Sequence, residues 1–111
     1  MIEVELRTNL ANKLDCPVVL EQSPNMPSKF VLMMKTGSSK TDELYSATFA
    51  FQSYGKTAYE ASLLNEKVKE AVESLIKLNI ISQVKLNSDY TFHDTETKRY
   101  RYQAVFDIHH Y

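Results

Sequence analysis

A chain of 111 residues and 12.8 kDa is the size of one ordinary domain, and folding at this mass buries roughly two-thirds of the surface the unfolded chain exposes. The composition is 43% hydrophobic and 24% charged, too apolar for a disordered chain. Thirteen Lys and Arg stand against fourteen Asp and Glu, so at a net charge of −1 no global field draws in nucleic acid or an anionic membrane, and any such role needs a local basic patch.

The opening residues, Met1-Ile2-Glu3-Val4-Glu5, carry acids where a signal peptide needs a basic region, so the expectation is a protein kept in the cytoplasm. Ile2, Leu6, Leu10 and Leu14 recur every four residues and predict a short amphipathic helix. Pro17 bars Cys16 from helical geometry and ends the helix near Leu14 or Asp15. Cys16 is the single cysteine, which excludes an intrachain disulfide and a thiolate metal cluster. Residues 18–21, with Val18 and Val19, read as a short strand.

Pro24 and Pro27 mark a turn segment, and residues 29–36 form a second strand that is apolar on both pleat faces and therefore covered on both sides. The longest apolar run, residues 30–34, is far too short to span a bilayer, so no membrane partner is expected. Gly37, Ser38, Ser39, Lys40, Thr41 and Asp42 read as a polar loop. Gly37 and Gly55 are the only glycines, which excludes a glycine-rich phosphate loop. Residues 45–54 alternate, with Tyr45, Ala47, Phe49 and Phe51 on one face.

Thr57 and Glu60 form a capping box, the Thr57 hydroxyl accepting from the Glu60 amide and the Glu60 carboxylate from the Thr57 amide. The long helix it opens places Ala61, Leu64, Val68, Ala71, Val72, Leu75 and Leu78 on one side. Glu66, Lys69, Glu70, Glu73 and Lys77 lie opposite, as a solvated face with weak Glu66–Lys69 and Lys69–Glu73 pairs. Ile80, Ile81, Val84 and Leu86 predict a fourth strand, which continues or bends through the polar residues 87–97. Residues 98–111 form the last, with Tyr100, Tyr102, Ala104, Phe106 and Ile108 on one face and Arg99, Arg101, Gln103, Val105, Asp107 and His109 on the other.

The order α-β-β-β-α-β-β with short connections predicts a single α+β domain over residues 1–111. It is a mainly antiparallel sheet of four to five strands with a short N-terminal helix and one long helix packed on one face.

Catalytic chemistry finds little footing. His109 and His110 point to opposite faces of a strand and cannot share a metal. His93-Asp94 has the types of a base and its orienter but no nucleophile beside it, and Cys16 reads as a small apolar filler. Asp94 and Glu96 have no apolar pocket to raise a carboxyl pKa. No cofactor, metal or catalytic residue is expected. Lys98-Arg99-Tyr100-Arg101-Tyr102 interleaves cations with aromatics, but a stacking platform needs both on one surface. The plain expectation packs the tyrosines on the long helix and leaves the arginines in solvent. Met26, Met33 and Met34, with apolar residues on both sheet faces and uncovered sheet edges, favour assembly with other chains.

The order of segments is itself distinctive. An opening helix leads to Pro17-Val18-Val19-Leu20-Glu21 and Pro24-Asn25-Met26-Pro27, and Phe30-Val31-Leu32 runs into a polar segment. The strand Thr48-Phe49-Ala50-Phe51-Gln52-Ser53-Tyr54 is followed at once by Thr57, Glu60-Ala61 and the long helix, and the chain closes on Arg101-Tyr102-Gln103-Ala104-Val105-Phe106-Asp107-Ile108. This order resembles the tail-terminator and head–tail joining (tail-completion) proteins of long-tailed bacteriophages. The resemblance implies a non-enzymatic virion structural protein located in the tail, and in the host cytoplasm during assembly. It implies a homo-oligomeric ring, usually a hexamer, that caps the tail tube, stops its polymerisation and meets the head–tail connector protein, while DNA passes through the lumen without tight binding. The expected contact residues are Gly37, Ser38, Ser39, Lys40, Thr41 and Asp42 toward a partner, and Arg99 and Arg101 as ion-pairing groups across the ring. The alternative expectation is a small nucleic-acid-binding module using residues 98–102. A metabolic enzyme subunit with a site shared between chains is a third.

Overall fold

The computed structural model of the chain describes residues 2–41, 44–91, 93 and 99–111. Helix α1 (Ile2–Lys13) buries the four-residue stripe: Leu6 and Leu10 are fully covered, and Leu14 follows just past the helix end. The Leu14 amide still donates to the Leu10 carbonyl at 3.0 Å, so the turn closes immediately before the pre-proline residue.

Strand β1 is shorter than the sequence suggests. It covers Val18–Val19 only and pairs in parallel with β2 (Phe30–Thr41) through Val18↔Val31 and Val19↔Leu32. Leu20 and Glu21 are exposed, because the chain must leave the edge to reach the proline turn. The early part of β2 is buried on both pleat faces, as its apolar run requires: Val31 and Met33 face the helices, while Phe30 and Leu32 pack with Tyr54 in a second cluster on the other face.

Residues 37–41 are not a loop. They extend β2, and its register with β3 (Leu44–Gly55) runs out to Thr41↔Leu44. A bulge between Lys35 and Gly37 re-aims the strand, and the Thr36 hydroxyl donates to the Thr48 carbonyl at 3.2 Å. Pairing satisfies the backbone of a Gly-Ser-Ser segment whose own strand preference is poor, so tertiary context overrides propensity. Asp42 lies outside the described residues.

Helix α2 (Ala58–Glu73) opens as the capping residues require, with the Glu60 amide donating to Thr57 Oγ1 at 3.1 Å. The return half of the box differs: Glu60 Oε2 accepts from the Lys56 amide at 3.1 Å, one residue earlier than expected. The helix also ends sooner. A 3₁₀ turn, Ser74–Lys77, takes over, and Leu78 is extended. The Ser74 hydroxyl bonds the Ala71 carbonyl and accepts from Lys13, which ties the end of α2 to α1.

Strand β4 (Ile81–Thr91) continues well into the polar stretch, and β5 (Tyr100–His110) lies between β3 and β4. The sheet order is β1-β2-β3-β5-β4, antiparallel except for β1, with both helices on one face. This is the expected α+β architecture. Phe49, Phe51, Ala104, Phe106 and Ile108 from the two middle strands meet Leu64, Val68 and Val72 of α2 in the main core. The whole measures 44 × 24 × 24 Å, with the strands spanning the long direction. Among the described residues no helix is long and apolar enough to cross a membrane.

Candidate functional site

Beside the Phe30–Leu32–Tyr54 cluster, the sheet face opposite the helices is laced by side-chain hydrogen bonds. Tyr54 is its hub. Its hydroxyl donates to Gln52 Oε1 (3.1 Å) and accepts from Gln22 Nε2 (3.0 Å) and Arg101 Nη1 (3.2 Å). Gln52 Nε2 donates to Gln103 Oε1 at 2.8 Å, and Gln103 in turn reaches the Tyr90 hydroxyl. The chain of bonds crosses β3, β5 and β4, so Gln52, only 6% exposed, is satisfied.

The Tyr54 ring stacks on Phe30 at 4.3 Å, and both arginine guanidiniums lie near it, Arg99 at 6.0 Å and Arg101 at 5.8 Å from its centroid. Arg99 also donates to Gln22 Oε1 at 3.2 Å. The arginines are therefore fixed in orientation by an aromatic ring and neutral amides. That corrects the picture of two free solvated side chains: Arg99 is exposed but held, and Arg101 is half-buried.

The tyrosines of the same strand also depart from expectation. Tyr100 is exposed and Tyr102 half-buried, because α2 runs past Phe106 and Ala104 but begins only at the level of Tyr100. Both rings meet the edge of His93, at 5.4 and 5.5 Å, and His93 Nδ1 accepts from the Arg101 amide at 3.1 Å. That bond gives His93 a structural role. Asp94, Glu96 and Lys98 lie outside the described residues.

At the other end of the sheet, residues 36–41 are exposed throughout. Lys40 lies over the Tyr45 ring at 5.1 Å, and Tyr45 stacks on His110 at 5.4 Å. Gly37, Ser38, Ser39, Lys40 and Thr41 are thus brought together on the outer half of β2, while Arg99 and Arg101 sit at the opposite end of the strands. The sequence reading found both groups and missed that they are separated by the length of β3. The Tyr54 network was also missed, since nothing in the pattern marks Gln22, Gln52 and Gln103 as partners.

Among the described residues no three His, Cys, Asp or Glu side chains group in a way that could hold a metal ion. Burial pushes the Cys16 thiol up, away from the thiolate that a nucleophile needs. Asp89 is occupied by α2, accepting from Asn65 at 2.8 Å and from Lys69 at 2.6 Å, and Lys69 is held protonated first by Asp89 and then by Glu66. Of the two helix pairs expected from spacing, Glu66–Lys69 forms at 2.9 Å and Lys69 gives its other bond to β4.

Asp107 shows how the open face responds to acid. Its carboxylate accepts from the Asn87 amide (3.1 Å) and the Thr48 hydroxyl (2.8 Å), which hold it below the usual carboxylate range. The folded value is lower than the unfolded one, so between the two the unfolded chain binds more protons. The contribution is therefore complete above the ordinary carboxylate pKa of about 3.9 and is lost as pH falls through the folded value. Asp107→Asn removes this acid-dependent loss from the stability profile. Denaturant melts of both proteins from neutral pH down to acid give the comparison, and parallel profiles would contradict the assignment.

No protein-family model matches the chain, and no curated protein matches it.

Proposed function

We propose that the chain is a virion structural protein of the tail-terminator or head–tail joining kind, which closes as a ring on the end of a phage tail tube. In this role it stops tube growth and presents a surface to the head–tail connector, DNA passes through the lumen, and no bond is made or broken. The observation that carries the reading is the hairpin of β2 and β3. Its β2 limb, residues 36–41, is exposed throughout and lies past the two residues that β1 covers, and such an open strand border is suited to pair with a neighbour. The sheet supports the same reading. Among the described residues β1 covers β2 only at Val31 and Leu32, and no strand covers the outer side of β4, so both borders remain available for association. Two different borders on one protomer make a heterologous contact, which closes into a ring under cyclic symmetry.

The test is a deletion of the gene followed by electron microscopy of the tails. Tails of irregular length without joined heads are expected, and tails of normal length with full infectivity would overturn the proposal. A variant with the hairpin cut back beyond Ser38 and Ala47, and melting like the parent, should fail to restore infectivity.

One observation favours a second reading. Tyr100 is 38% exposed, as a nucleic-acid module on residues 98–102 requires, while Arg99 lies with Tyr54 on the other face of the sheet. That module would bind a labelled single-stranded oligonucleotide with an affinity falling steeply as salt rises.

A further inference from the structure

The end of the sheet that carries Arg99 holds a cleft of about 300 Å³, with Met26, Phe30 and Tyr54 among its walls and Lys56 and Arg99 as its charged groups. No carboxylate is found among the described residues that line it. Behind the turn at Gly55 a second hollow of about 350 Å³ shares Ser28 and Lys56 and adds Lys67 and Lys29, the last paired with Asp15 at 2.9 Å. Its one acid, Glu60, already accepts from the Lys56 amide. This end is therefore cationic around an apolar floor in a chain whose net charge is −1.

The complementary surface is on α2. Tyr59, Leu63, Glu66, Glu70 and Glu73 follow each other at spacings of four and three and form one exposed stripe, apolar at its start and acidic along the rest. Tyr59 is 70% and Leu63 46% exposed, so the start of the stripe offers apolar surface to a partner. Within one chain the apolar start of the stripe adjoins the second hollow, which Leu63 lines, whereas at 1.5 Å per residue Glu70 and Glu73 lie about 18–22 Å along the helix from its first residue and line neither hollow.

We infer that the Lys56–Arg99 cleft docks the Tyr59–Glu73 stripe of a second copy of this chain. The inference rests on the ring reading and supplies its protomer contact. Apolar side chains enter the cleft and the glutamates face the cations at its rim. The orientation of Arg99 by Tyr54 and Gln22 lowers the ordering cost of the contact. Because cleft and stripe are different surfaces, each copy offers one to the neighbour before it and the other to the neighbour after it.

Charge reversal tests this. Lys56→Glu with Arg99→Glu alters one surface, and Glu70→Lys with Glu73→Lys the other; all four residues are exposed, and melting curves establish that both variants fold. In sedimentation at low ionic strength the parent self-associates, and each variant alone is weakened about tenfold or more. An equal mixture recovers association, since each variant's altered surface complements the other's, and an alternating closed ring then holds an even number of chains. Variants that associate like the parent, or a mixture that recovers nothing, would overturn the inference while leaving the ring intact. A parent that stays monomeric at millimolar concentration would overturn the inference and leave a ring that closes only on the tube. If the Lys56→Glu, Arg99→Glu variant keeps self-association but loses binding to a single-stranded oligonucleotide, the cleft serves nucleic acid and the inference is likewise overturned.

Discussion

Phe51→Ala lowers the free energy of unfolding by about 3–5 kcal/mol. The ring is fully buried at the middle of β3, which is flanked along its length by β2 and β5. Phe49 lies beside it at 6.3 Å and Phe106 meets it edge-on at 6.0 Å, with Leu64 and Val68 of α2 in the same core. A strand bonded on both sides cannot slide inward to fill the space, so most of the cavity persists. Against a total stability of about 5–15 kcal/mol for a domain of this kind, the variant is close to unfolding at body temperature. Urea titration followed by circular dichroism measures the loss, and a change under about 1 kcal/mol would mean that the core is not centred here.

Gly55→Ala is the second large effect. A β-carbon on Gly55 would lie 2.6 Å from the Ala61 amide nitrogen and 3.0 Å from the Glu60 carbonyl carbon, both of them backbone of the first turn of α2. Neither is a flexible side-chain tip, so the helix start must move, and with it the bonds that Thr57 and Glu60 make there. We expect a cost of about 1–3 kcal/mol. Gly37→Ala is the control: nothing among the described residues lies within 4 Å of its added carbon, and the change stays within about 0.5 kcal/mol. Thermal melts of the two variants side by side separate close approach from general glycine loss. Equal shifts would contradict the packing at Gly55.

The fold was legible where periodicity and chain chemistry agreed. Leu6, Leu10 and Leu14 repeat at one-turn spacing and end before a proline, and the helix follows them. Phe49 and Phe51 alternate with Ala50 and Gln52, and the strand faces follow that. The apolar run in residues 30–34 implied cover on both sides, and the Phe30–Leu32–Tyr54 cluster supplies it. The misses have a common cause. Gly37 to Thr41 lack apolar residues, so only the strand opposite reveals them as strand. Tyr100 has the right parity for the core, but parity does not say where along β5 the covering helix begins. Arg99 and Arg101 were picked out by their charge alone, whereas their orientation comes from Tyr54 and Gln22, which are remote in sequence. No spacing rule connects such residues.

The position of β5 has a consequence for how the molecule is made. It is the last strand in the chain yet occupies an inner place in the sheet, joining β3 to β4. While a ribosome is still translating residues 100–110, β3 has a bare side and β4 has nothing to pair with. Before β5 joins, the chain holds two helices and the β2–β3 hairpin but no closed core, and its slow step is the capture of a segment about fifty residues downstream. Closure of the core therefore waits on a strand made after every element that it joins.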